Sequence, residues 1–115
     1  MVAPSTGEVV LVPFPFSDLS QSKLRPALCL ASAGRGDWVL CQITSNPYGD
    51  PKAVILQASD FKTGGLHTES FVRPGKLFTA SGTLMTRSVG SLNAVAFARV
   101  LSSVLAILQP PEQKP

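Results

Sequence analysis

The apolar positions of this chain fall in short runs cut by proline and glycine. Glu8 to Phe14 carries Val9, Val10, Leu11 and Val12 in succession. A run apolar on both faces predicts a strand inside a sheet, here ended by Pro13 and Pro15. Ser17 to Lys23, SDLSQSK, predicts a polar loop. Pro26 to Ser32 predicts a second strand, with Pro26 at its entry, where a missing N–H is tolerated. Gly34, Gly36 and Asp37 predict a tight turn into a third strand, Trp38 to Ser45. The turn-rich NPYGDP leads to a fourth, Ala53 to Gln57. Ser59 to Phe61 suggests one helical turn closed by Gly64 and Gly65. Glu69 to Arg73 and Lys76 to Ala80 form a fifth strand, or a bent pair broken at Pro74–Gly75.

The period then changes. Leu92, Val95, Ala96, Val100, Leu101, Val104, Leu105 and Leu108 recur at helical spacing behind Ser91, a candidate N-cap. Asn93, Arg99, Ser102 and Ser103 make a thin polar side. That is more apolar than one packing surface requires. Either a subunit interface covers the excess, or a small domain tolerates exposed Ala and Val. The tail from Pro110, PPEQKP, stops the helix and is expected to fray. The whole reads as α+β: five or so short strands in a bent antiparallel sheet that closes into a small barrel, with a C-terminal helix.

At 115 residues the chain supports a single domain, 1–115. Ten Lys and Arg against seven Asp and Glu leave a formal charge of +3, which permits a polyanionic partner without demanding one. The single His excludes a two-imidazole acid/base pair within one chain. Two Cys with no ligand pattern around them suggest neither a disulfide framework nor a metal site, and a reduced cytosol is the default. The N-terminus has no signal-peptide pattern, and no apolar run approaches the roughly 20 residues of a membrane span. P-loop, GxGxxG, HExxH, CxxC and GxSxG motifs are missing, and the carboxylates are scattered. No cofactor or metal is expected.

The residues with chemical interest sit at strand ends. Arg25 precedes Pro26, which holds it extended and so fixes its direction. Its guanidinium can clamp a phosphate through two donors, or pair on the surface with Asp18 or a carbonyl. Thr44 ends the third strand and can donate to a phosphate oxygen, or reflect only β-propensity. His67, in TGGLHTES, reads as a solvated loop residue. Cys29 and Cys41 read as buried small hydrophobes and Trp38 as core or rim. Phe14 and Phe16 can stack on bases or pack under the polar loop.

Taken in order, GEVVLVPFPFSDL, SKLRPALCLAS, WVLCQITSN and SFVRPGKLFT resemble the MazF/PemK (Kid) toxin family over about Gly7 to Leu108. The resemblance implies a compact SH3-like, PemK-type barrel and a homodimer. It also implies an endoribonuclease from a bacterial toxin–antitoxin operon, acting in the cytoplasm. It places the family's catalytic arginine on Arg25 and its partner hydroxyl on Thr44. The loop Ser17 to Lys23 would cover the RNA groove, making Asp18, Lys23, Arg73 and Lys76 the candidate RNA contacts. Arg73 matches an arginine implicated in the Kid-like branch. The aspartate of that branch has no counterpart, because Gly75 stands near its place, and His67 is at no recognised family position.

The implied reaction needs no metal. RNA carries its own nucleophile in the 2′-hydroxyl, and its attack on phosphorus would leave a 2′,3′-cyclic phosphate and a 5′-hydroxyl. Arg25 would neutralise developing charge and Thr44 would orient a phosphate oxygen. The substrate would be single-stranded RNA read over a short sequence. The second partner would be an antitoxin whose acidic, disordered segment folds onto the groove. Two readings of other classes compete: a non-catalytic toxin of the CcdB type that binds gyrase, and a small barrel that binds nucleic acid or an acidic peptide.

Overall fold

The computed structural model describes residues 4–15 and 22–109. Asp18, Phe16, most of the polar loop and the tail from Pro110 lie outside the described residues, as does the side chain of Phe14. Seven strands form one antiparallel sheet: β1 (Glu8–Pro15), β2 (Ser22–Gly34), β3 (Asp37–Thr44), β4 (Val54–Leu56), β5 (Phe61–Gly64), β6 (Ser70–Ser81) and β7 (Arg87–Leu92), followed by helix α1 (Ala94–Leu108). Single 3-10 turns at Ala58–Asp60 and Gly82–Leu84 precede β5 and β7. No helix among the described residues is long and apolar enough to cross a membrane.

The strand order is β4-β6-β3-β2-β1-β7-β5. β4 and β5 thus stand at opposite ends of the sheet, yet only residues 57–60 join them. So short a link forces the sheet to curl until its two ends approach. Leu56 and Phe61, one from each end, join the same core cluster. This is the barrel expected from the sequence, with two strands more. Neither extra strand carries an apolar run: β5 is FKTG and β7 is RSVGSL. Their pairing depends on Gly64 opposite Gly90. A Cβ on Gly90 would lie 2.6 Å from the Thr63 carbonyl oxygen, and one on Gly64 would overlap the Val89 carbonyl.

Successive residues of β1 point to opposite faces, and both faces are covered. Val9 joins Leu28, Cys41, Ile43, Val72 and the helix residues Ala96, Val100 and Val104. Val10 and Val12 join Ala27, Cys29 and Leu40, packed by Trp38, Phe78 and Met85. Cys29 and Cys41 are free and buried, and they belong to different clusters. Burial pushes both thiols up to about 12, aided at Cys29 by Glu8.

Two strand boundaries differ from the sequence reading for one reason. Pro13 lies within β1, which runs to Pro15, and Pro26 lies within β2 rather than at its entry. β7 pairs with β1 only as far as Leu11, and β3 pairs with β2 only from Ala27. All three prolines therefore stand where a strand has one neighbour, the setting that tolerates a missing N–H. β6 likewise runs unbroken through Pro74–Gly75. Its register against β3 jumps from Val72 opposite Ile43 to Leu77 opposite Cys41, so the intervening residues bulge, and Pro74 is buried.

The helix starts two residues later than the sequence suggests. Ser91 is still strand, paired with Glu8 and Thr63. Asn93 is the N-cap, its Oδ1 accepting from the Ala96 N–H at 2.8 Å. The outward side of α1 leaves Val95, Leu105 and Leu108 exposed, at 75%, 48% and 62%.

Candidate active site

The β2–β3 hairpin turns at Arg35 and Gly36, both with positive φ (57° and 79°), as a two-residue turn of this kind requires. From there the ladder runs to Leu28 opposite Cys41 and Ala27 opposite Gln42. Arg25 on β2 and Thr44 at the end of β3 each lie two residues beyond that last pair, at the same end of the two strands.

Both line a cavity of about 240 Å³ with Pro26, Ile43, Ser45 and Ser70. Its remaining wall is Leu66, His67 and Thr68, from the stretch between β5 and β6. That stretch is held from both sides. Leu66 packs against the core, and the buried Ser70 hydroxyl donates to the Thr68 carbonyl at 2.8 Å. The same three residues border a second cavity, of about 630 Å³, with Leu56, Gln57, Phe61 and Glu69. His67 is an exposed loop residue, as the sequence reading had it, and it borders both cavities.

Thr44 is positioned by the loop that follows. Its hydroxyl donates to the Asn46 carbonyl at 3.0 Å and accepts from the Asn46 N–H at 3.1 Å. The Asn46 side chain in turn accepts from the Tyr48 N–H at 2.9 Å. Tyr48 and Gly49 then turn with φ of 54° and 71°. Arg73 holds this loop from β6: its Nε donates to Asp50 at 3.1 Å and its guanidinium lies 5.6 Å from the Tyr48 ring centre. The Lys52 backbone N–H and then Arg73 keep the Asp50 carboxyl below its usual range.

The other expected contacts are dispersed. Arg73 does not line the cavity, and neither do Lys23 and Lys76, both exposed. Gly75 faces α1, where an added Cβ would meet the Ile107 side chain at 3.8 Å.

A model of the PemK-like, MazF-like toxins of type II toxin–antitoxin systems matches residues 5–108. The chain belongs to this family. Solved structures share the fold. A MazE–MazF complex from Deinococcus radiodurans superposes with a TM-score of 0.73 at 23% identity, covering 94% of this chain and 97% of that one. An endoribonuclease from a mycobacterial species gives 0.69 at 20% identity over 98% of each chain. A mycobacterial endoribonuclease in complex with its cognate antitoxin gives 0.70 at 18%, over 98% of this chain and 100% of that one. No curated protein sequence matches.

Within this MazF-like toxin, the family resemblance singled out Arg25 and Thr44, and both line the smaller cavity. It did not single out His67, which lines that cavity too. Its place at the cavity wall depends on β5, which carries no sequence pattern. The one available signal was compositional: a single His, close behind two glycines.

Proposed function

We infer that this MazF-like toxin is an endoribonuclease that cuts single-stranded RNA at a short sequence, without a metal, by attack of the RNA's own 2′-hydroxyl. The observation that carries this reading is that Arg25 and Thr44 line one small cavity. A guanidinium stays charged throughout catalysis and is matched to phosphate oxygens, so Arg25 supports the charge that develops on the phosphorane. Thr44 orients a phosphate oxygen. The products are a 2′,3′-cyclic phosphate and a 5′-hydroxyl, and DNA is spared. Among the described residues no three His, Cys, Asp or Glu side chains cluster as a cation site. Lys23, Arg73 and Lys76 remain candidates for the wider RNA path, with Asp18 from the loop.

The partners follow the family. A cognate antitoxin occupies the RNA groove with an acidic segment, and two copies of the toxin pair. The exposed apolar residues of α1 support pairing. The cytoplasm is the expected compartment.

The test is incubation with a long unstructured RNA in EDTA, with mapping of the ends. Discrete cuts with 5′-hydroxyl termini, lost in Arg25→Ala, are expected. Intact RNA across several sequences at high protein excess would reject the nuclease reading and favour a toxin that acts by binding.

A further inference from the structure

Resting on the nuclease reading, we propose that the imidazole of His67 is the base that takes the proton of the attacking 2′-hydroxyl. Three observations converge on it. First, His67 lines the same cavity as Arg25 and Thr44. Second, its backbone is fixed although its side chain is exposed: Leu66 is anchored in the core, and the Thr68 carbonyl is held by Ser70. An imidazole on such a support has the geometry of a positioned group rather than of a floppy loop. Third, the described lining of the cavity contains no carboxylate, and Gly75 faces the helix instead. Arg25 keeps its proton at any working pH, and the hydroxyls of Thr44, Ser45, Thr68 and Ser70 are too weakly basic. Imidazole is the one lining group of a type that exchanges a proton near neutrality.

The step balances with solvent alone. Neutral imidazole accepts the proton from O2′. The O2′ electron pair forms the bond to phosphorus. The P–O5′ bond breaks, and its electron pair leaves on O5′, which takes a proton from water. The imidazolium then returns its proton to solvent, so no oxidant or co-reactant enters. The charged side chains lining the two cavities that His67 borders are Arg25, across the smaller one, and Glu69, in the larger. The slope of the pH profile reports the proton.

The experiment uses the full chain and an RNA oligonucleotide bearing one mapped cut site, in EDTA, from pH 5 to 9. Wild type is expected to lose kcat/KM with unit slope as pH falls, because the base must be neutral. His67→Gln is expected to lower kcat by about 100-fold or more, with KM changed less than about threefold, and to abolish that slope. Imidazole added to the buffer should partly restore His67→Ala but not Arg25→Ala. Melting curves superposable on wild type show that folding is not the cause. A His67→Gln protein within about threefold of wild type, with an unchanged profile, would overturn the proposal while leaving the nuclease reading intact. A wild-type protein that cuts no RNA would overturn both.

Discussion

The connection before β5 and the one after it differ in what their side chains touch. In the first, Asp60 accepts from the Gln57 N–H at 2.8 Å and from Arg99 of α1 at 3.1 Å. Its backbone carbonyl accepts from the Asn93 N–H, and the Asn93 amide donates to the Ser59 carbonyl. The polar groups of this turn are answered within the chain, and they tie the start of the helix to the ends of the sheet. In the second, the anchors are the Leu66 side chain against the core and the Ser70 hydroxyl on the Thr68 carbonyl, and His67 lines a cavity. Two segments on either side of a four-residue strand are thus held differently, the first by polar bonds to the helix start and the second by one apolar contact and one hydroxyl.

Substitutions should separate the two. Arg25→Ala is expected to lower kcat/KM by about 1,000-fold, the scale of losing a main electrostatic contact in the transition state, with melting temperature nearly unchanged. Gly64→Ala strikes the strand between the segments. The added Cβ meets the Val89 carbonyl at a φ of 66°, so a loss of about 3 kcal/mol is expected, read by denaturant unfolding. Asp60→Ala should cost about 1–2 kcal/mol while kcat/KM stays within about threefold. Most of that belongs to the Gln57 N–H rather than to Arg99, which is 45% exposed, so Arg99→Ala should cost less than about 0.5 kcal/mol. A stability loss for Asp60→Ala matched by an equal activity loss would dissolve the separation.

The acid behaviour follows from the same carboxylate. The Gln57 N–H, then Arg99, hold the Asp60 carboxyl below its usual range. Its stabilising contribution is therefore full above the unfolded value, about 3.9, and disappears as pH falls through the lower folded value. Urea titrations below about pH 4 should show a shallower acid loss in Asp60→Asn than in wild type. A smaller loss of activity than that of Arg25→Ala belongs to Arg73→Ala. It frees the Tyr48–Asp50 loop behind Thr44 and should reduce kcat/KM by about 3- to 10-fold, through geometry rather than charge. A drop as large as that of Arg25→Ala would place Arg73 on the reacting phosphate instead.

The sequence was most legible where apolar runs are long. Val9 to Val12, Ala27 to Leu30 and Val39 to Ile43 each predict an interior strand, and each is one. Phe61–Gly64 and Arg87–Leu92 were illegible because a strand made of Lys, Thr, Ser and Gly is defined by its neighbour, not by its own composition. Ser91 lost the cap to Asn93 for the same reason: the pairing of β7 reaches past it. At the site, Arg25 and Thr44 were singled out by the resemblance of four motifs in order, and they sit on strands whose apolar runs were already clear. His67 was not, and its segment is placed by β5.

The turn at Arg35–Gly36 acts as a ruler. It is exposed, and Arg35 and Gly36 line neither cavity described above. It nevertheless sets which residue of β2 faces which residue of β3, and an odd slip would swing one of Arg25 and Thr44 to the other face. The irregularities at Cys29/Ala31 and Ser32/Gly34 lie between turn and site and already consume the spare residues of β2. A residue gained or lost at this distant hairpin must therefore be absorbed at one of those two bulges to keep Ala27 opposite Gln42, the last rung before Arg25 and Thr44.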